Sequence, residues 1–120
     1  MIEHRLFTRF LTEGEVLVQL QGAAVETIRA ELVDISFKGV GIYSRKMIAA
    51  DTPVRFFVSS KLFEKHIRGE GRIRYVHAHR RKDAEVYRMG IEFIDVDSEL
   101  VRDTILSLQK KLTQSPENNT

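Results

Sequence analysis

The sequence predicts an all-β-dominated fold, a sandwich or small barrel of antiparallel strands followed by one amphipathic helix. Three observations predict it. Six short segments carry strand patterning, compact clusters of Gly, Asp, Pro or charge separate them, and only the last apolar stretch switches to helical spacing. Short strands joined by tight connections argue against a parallel sheet.

The elements follow in chain order. Residues 1–13 show neither period and read as an N-terminal loop. GEVLVQLQ (14–21) alternates, with Val16, Val18 and Leu20 on one face. TIRAELVDIS (27–36) alternates through Ile28, Ala30, Leu32 and Asp34, which puts Ile35 on the opposite face. GVGIYS (39–44) is short. PVRFFVSS (53–60) is dense in β-branched and aromatic residues. GRIRYVHAH (71–79) and VYRMGIEFI (86–94) are the last two strands. KLFEKHI (61–67) fits one helical turn or a loop, and RRKDAE (80–85) reads as a hairpin connection. Asp97 or Ser98 then caps a helix, with Glu99 at its positive end and Lys110 and Lys111 at its negative end. Val101, Ile105, Leu108 and Leu112 fall on one stripe. QSPENNT (114–120) has no apolar residue and is expected to be disordered. The organisation expected is thus a loop over 1–13, a barrel with its helix over 14–113, and a tail over 114–120.

Composition narrows the function. A chain of 120 residues has room for one modest core. It has no cysteine, which removes disulfides, thiolate metal sites and cysteine nucleophiles. No apolar run approaches the roughly 18 residues of a membrane span, and MIEHRLFTRF lacks the apolar core of a signal peptide. A cytoplasmic protein without membrane insertion is the expectation. Net charge is +2, but 12 of the 19 basic residues are Arg, the cation suited to planar, bidentate recognition of phosphates and bases.

No nucleophile elbow, glycine-rich phosphate loop or paired carboxylates appear, so no enzymatic activity is expected. His77 and His79 share a face on a strand, but no third metal ligand accompanies them, and they read as ordinary strand residues. Two other patterns carry more. RLFTR (5–9) is an RxxxR; one such pair is expected by chance in a chain this rich in Arg, and Arg68 with Arg72 is a second. DISFKG (34–39) is a [D/N]xSxxG, which this chain's composition produces by chance only about 0.03 times. On a strand Asp34 and Ser36 share a face. An ionised Asp only accepts hydrogen bonds and matches the N–H groups of a guanine edge, while Ser donates or accepts beside it. Gly39 lets the chain bend, or lets a ligand approach the backbone. A guanidinium grips phosphate, stacks on a purine or bonds a guanine edge.

These residues together resemble the PilZ domain family, bacterial receptors for the second messenger cyclic di-GMP. RLFTR resembles the family's RxxxR, DISFKG its [D/N]xSxxG, and MGIEF (89–93) its closing strand before a helix. The likeness runs from residue 4 to about residue 112. It implies a six-stranded antiparallel β-barrel with an N-terminal loop over its outside. It also implies that Arg5 and Arg9 hold guanine and phosphate, that Asp34 and Ser36 hold a guanine, and that Gly39 is the motif glycine. Arg88, just before GIEF, is a further candidate contact. Many members carry another Arg directly before RxxxR, where this chain has His4; that position bears on whether one ligand or an intercalated pair is bound. No output domain is recognised in these residues, so the resemblance implies signalling to an unidentified effector protein by ordering of the N-terminal loop. A ligand-independent adaptor is the alternative. A nucleic-acid-binding barrel, suggested by GRIRYVHAHRRK (71–82), is disfavoured by the near-neutral net charge.

Overall fold

A computed structural model describes residues 8–21 and 25–113. His4, Arg5 and the 114–120 tail lie outside the described residues. Six strands and one helix follow in order: β1 (Phe10–Leu20), β2 (Glu26–Ile35), β3 (Gly39–Ser44), β4 (Pro53–Ser59), β5 (Ile67–Arg81), β6 (Ala84–Val96) and α1 (Ser98–Thr113). All neighbouring strands pair antiparallel, and the order β1-β2-β3-β6-β5-β4 closes on itself into a barrel.

Of the inward sets expected on the first two strands, Val16, Val18, Ile28, Ala30 and Leu32 are buried in one apolar cluster, with Leu20 partly buried against it; Val54, Phe56, Val58 and Ile73 complete the lumen. Val101, Ile105 and Leu108 of α1 join the same cluster. Asp97 caps the helix: its Oδ1 accepts the Leu100 N–H at 3.1 Å. Burying each of Val101, Ile105 and Leu108 contributes about 2 kcal/mol relative to exposure. Ile105 is fully buried, so Ile105→Val is expected to cost about 1 kcal/mol, read as a lower urea midpoint at unchanged slope.

The structure departs from the alternation in four places. First, β1 begins at Phe10 rather than Gly14, so residues 10–13 are strand, not loop. A register shift between Leu11 and Gly14, with Gly14 at φ 151°, breaks the alternation there. Second, β2 slips by one between Leu32 and Asp34. That bulge reverses the phase, turning Ile35 into the core and Asp34 outward. Third, β5 starts at Ile67, with irregularities at Glu70/Gly71 and Ile73/Tyr75. Residues 61–66 are turn and bend without helix, held by a Leu62 N–H to Ser60 Oγ bond of 3.0 Å, with Phe63 buried. Fourth, the β5–β6 connection shrinks to Lys82 and Asp83. Both have positive φ (51° and 67°), and Arg81 pairs with Ala84, the geometry of a two-residue type I′ hairpin.

Candidate functional site

The β2 bulge places Asp34 opposite Leu11 of β1 and Gly41 of β3, and Gly41 in turn lies opposite Gly90 of β6. Val40 and Ile42 point into the core, so this row faces outward. Asp34 is buried all the same, because two guanidinium groups cover it. Arg9 donates through Nε to Oδ1 at 2.8 Å, and its Nη2 lies 2.8 Å from the same oxygen. Arg88 donates through Nη2 to Oδ2 at 2.7 Å. Arg9 also reaches Ser36 Oγ at 3.4 Å. One carboxylate is thus shared between a guanidinium that is 39% exposed and another that is 18% exposed. Arg9 comes from just before β1 and Arg88 from the middle of β6, so the site ties the chain's start to its closing strand.

The DISFKG turn is fixed by its own backbone. The Ser36 N–H donates to the Gly39 carbonyl at 2.8 Å, and Ser36 Oγ accepts the Lys38 N–H at 3.1 Å. The Phe93 N–H donates to the Lys38 carbonyl at 2.8 Å, pinning the turn to β6. Gly39 is needed for closeness: a β-carbon there would strike the Ile91 carbonyl. A shallow cleft of about 250 Å³ opens beside this turn, lined by Arg9, Lys38, Gly39, Arg74, Tyr75 and Glu92 among others. Arg74 pairs with Glu92 at 3.0 Å. With Asp34 and Arg88 added, four cations face two carboxylates, a surplus that favours an anion.

Sequence patterning gives Gly41 and Gly90 no role here, and reads Tyr75 only as the aromatic of the basic stretch 71–82. Gly41 leaves the space that Arg88 and the Asp34 carboxylate occupy, since a β-carbon would meet both. Gly90 is covered by the Tyr75 ring. Tyr75 therefore lies flat on a glycine floor beside the cleft, next to His77 at 5.4 Å between ring centroids. His79 stands edge-on to Tyr43. Among the described residues no three His, Cys, Asp or Glu gather as metal ligands, and no helix is long and apolar enough to cross a membrane.

The sequence profile of the PilZ domain matches residues 3–109. The chain belongs to the PilZ domain family. Solved structures agree with the PilZ barrel. YcgR from Escherichia coli, in complex with c-di-GMP, superposes with a TM-score of 0.74 at 14% identity, over 94% of this chain and 49% of that one. The YcgR PilZ domain with c-di-GMP gives 0.67 at 13% identity, over 93% and 94%. The Bacillus subtilis inhibitor of motility (MotI/DgrA) gives 0.69 at 15%, over 88% and 50%. The chain spans about half the length of YcgR and MotI. No curated protein matches at a significant level.

Proposed function

We propose that this PilZ chain is a cyclic di-GMP receptor that signals by reorganising its N-terminal segment. The observation that carries the reading is the Arg9–Asp34–Arg88 bridge, with Ser36 beside it, on the outer wall of the barrel. Two structural relatives solved with c-di-GMP support the choice of ligand.

The chemistry of the bridge suits a switch. Asp34 holds Arg9 on Oδ1 and Arg88 on Oδ2, and when Arg9 leaves, Oδ1 has lone pairs for the N–H groups of a guanine edge. Arg88, the less exposed guanidinium, is suited to keep the carboxylate oriented. Arg9, the more exposed one, is free to exchange Asp34 for a ligand phosphate, and Arg5 to join it from the same segment, with His4 bearing on ligand number. Ser36 supplies a further polar contact and Gly39 keeps its turn close to β6. The ligand shifts the segment only by its differential affinity for the closed arrangement. An effector protein in the cytoplasm reads the change.

Calorimetric titration with cyclic di-GMP, beside Arg9→Ala and a GMP control, tests this. The wild type is expected to bind at micromolar concentration or tighter, and GMP not to compete. Arg9→Ala is expected to lose about ten- to hundredfold in affinity, the worth of one charge-assisted contact. Absence of heat and of thermal stabilisation would favour a ligand-independent adaptor; undiminished binding by Arg9→Ala would sink the switch.

A further inference from the structure

The β5–β6 hairpin outruns the barrel. β4 pairs with β5 only as far as Arg72, and β3 with β6 only as far as Tyr87, whereas β5 and β6 pair on to Arg81 and Ala84. Beyond Ile73, among the described residues, no strand pairs with the second edge of β5. Which backbone groups this edge offers follows from parity. Ile73 directs both its polar groups away from β6: its carbonyl accepts the Asp51 N–H at 2.7 Å, and its N–H donates to the Thr52 carbonyl at 3.0 Å. On β6, Phe93 likewise turns its N–H away from β5, toward the Lys38 carbonyl. Ile91, Met89, Tyr87 and Glu85 share that parity. Their β5 partners past the bulge are Val76, Ala78 and Arg80. These three residues therefore hold their N–H and C=O groups toward open space, while Tyr75, His77, His79 and Arg81 bond β6.

The side chains along this edge have one sign. RYVHAHRRK (74–82) contains four cations and two histidines and no carboxylate; Arg74 and Arg81 are already paired with Glu92 and Glu31, at 3.0 and 3.3 Å, so Arg80 and Lys82 carry the charge left to attract a partner. Charge on an edge strand ordinarily opposes pairing with a second copy; antiparallel self-pairing about Ala78 would set Arg74 against Lys82. The same charge attracts a strand of the opposite sign. We propose that the free edge of β5, at Val76, Ala78 and Arg80, is a docking site for an extended acidic segment of a partner protein, added as a further strand. A nucleic acid fits less well. It has no row of alternating donors and acceptors to complete the edge, and the nearby rings are occupied: Tyr75 covers Gly90, and Tyr43 carries Arg81 at 4.6 Å and Arg88 at 5.6 Å. The inference is independent of the nucleotide site, since none of the three edge residues belongs to it.

The probe is a labelled synthetic peptide in which Glu alternates with Val and Thr, set beside its Lys counterpart and an oligo-dT strand. Fluorescence anisotropy is expected to show saturable binding of the acidic peptide, at least about tenfold tighter than the Lys peptide. Ala78→Pro removes an outward N–H that β6 does not use, so the hairpin survives; it is expected to lose the peptide while keeping its melting temperature. Hydrogen exchange gives a second reading on the unmodified chain. The amides of Val76, Ala78 and Arg80 are expected to exchange rapidly alone and to slow with peptide, while those of His77 and His79 are protected in both. Equal binding by Ala78→Pro, or no slowing at the three amides, overturns the proposal. So does preference for oligo-dT, or protection of the same amides by self-association.

Discussion

Asp34→Ala is expected to lower the unfolding free energy by about 2 kcal/mol and to remove measurable cyclic di-GMP binding. Both effects come from one geometry. The carboxylate is buried, yet it stabilises two guanidinium groups, one arriving from just before β1 and one from β6. Deleting one partner of a buried ion pair costs about 3–5 kcal/mol, because the remaining charge is left without compensation. The figure here is smaller, since Arg9 is already 39% exposed and reaches water readily. Arg88 is the costly orphan: it is 18% exposed, and its other hydrogen bond is a 3.3 Å contact to the Met89 carbonyl. A double-mutant cycle separates this penalty from any gain. Asp34→Leu with Arg88→Leu removes both charges together, and it is expected to be more stable than Asp34→Leu alone. Urea denaturation reads the difference. If Asp34→Ala unfolds at the wild-type midpoint, the bridge is a solvated surface pair and Asp34 has no structural part. Binding is lost on separate grounds, because no other carboxylate among the described residues touches Arg9 or Arg88.

How far the sequence spoke for this site depended on whether local pattern or long-range pairing set each feature. The lumen was legible because Val16, Val18, Ile28, Ala30 and Leu32 keep a two-residue period that only a one-sided strand explains. The face of Asp34 was not. Strict alternation from Leu32 puts Asp34 inside and Ile35 outside, and the bulge that reverses this depends on how β3 lies against β2. The start of β1 was hidden in the same way by the irregularity ending at Gly14. The hairpin tip lacks the Asn-Gly or Asp-Gly signal, because Lys82 and Asp83 adopt the positive φ values that Gly would ordinarily supply. The place of Arg88 before GIEF is visible in the sequence, but its bond to Asp34 joins residues 54 positions apart. Gly41 has meaning only once that bond exists, since it leaves room for it. Motif spacing therefore marked which side chains to follow, and bulges decided where they point.

Gly39→Ala is the complementary case, where a single methyl group is expected to cost about 3 kcal/mol, the upper part of the range for overpacking. Gly39 has an ordinary backbone conformation, so the cost is not one of φ. It lies opposite Glu92 in the β3–β6 ladder, and an added β-carbon meets the carbonyl of Ile91. That obstacle is backbone and has no rotamer to escape into, so β3 and β6 have to part. They would part where the Phe93 N–H holds the Lys38 carbonyl and the Ser36 N–H holds the Gly39 carbonyl, each at 2.8 Å. The turn that sets Ser36 beside Arg9 would loosen with them, so nucleotide affinity is expected to fall with stability. Gly90→Ala is the internal control. Its β-carbon meets the Tyr75 ring, a side chain able to swing outward, so the loss is expected to be smaller, about 1 kcal/mol. Thermal and urea unfolding of the two variants side by side read the order. Should Gly90→Ala prove the more damaging, Tyr75 is locked and the close approach of β3 to β6 is not what demands glycine at 39.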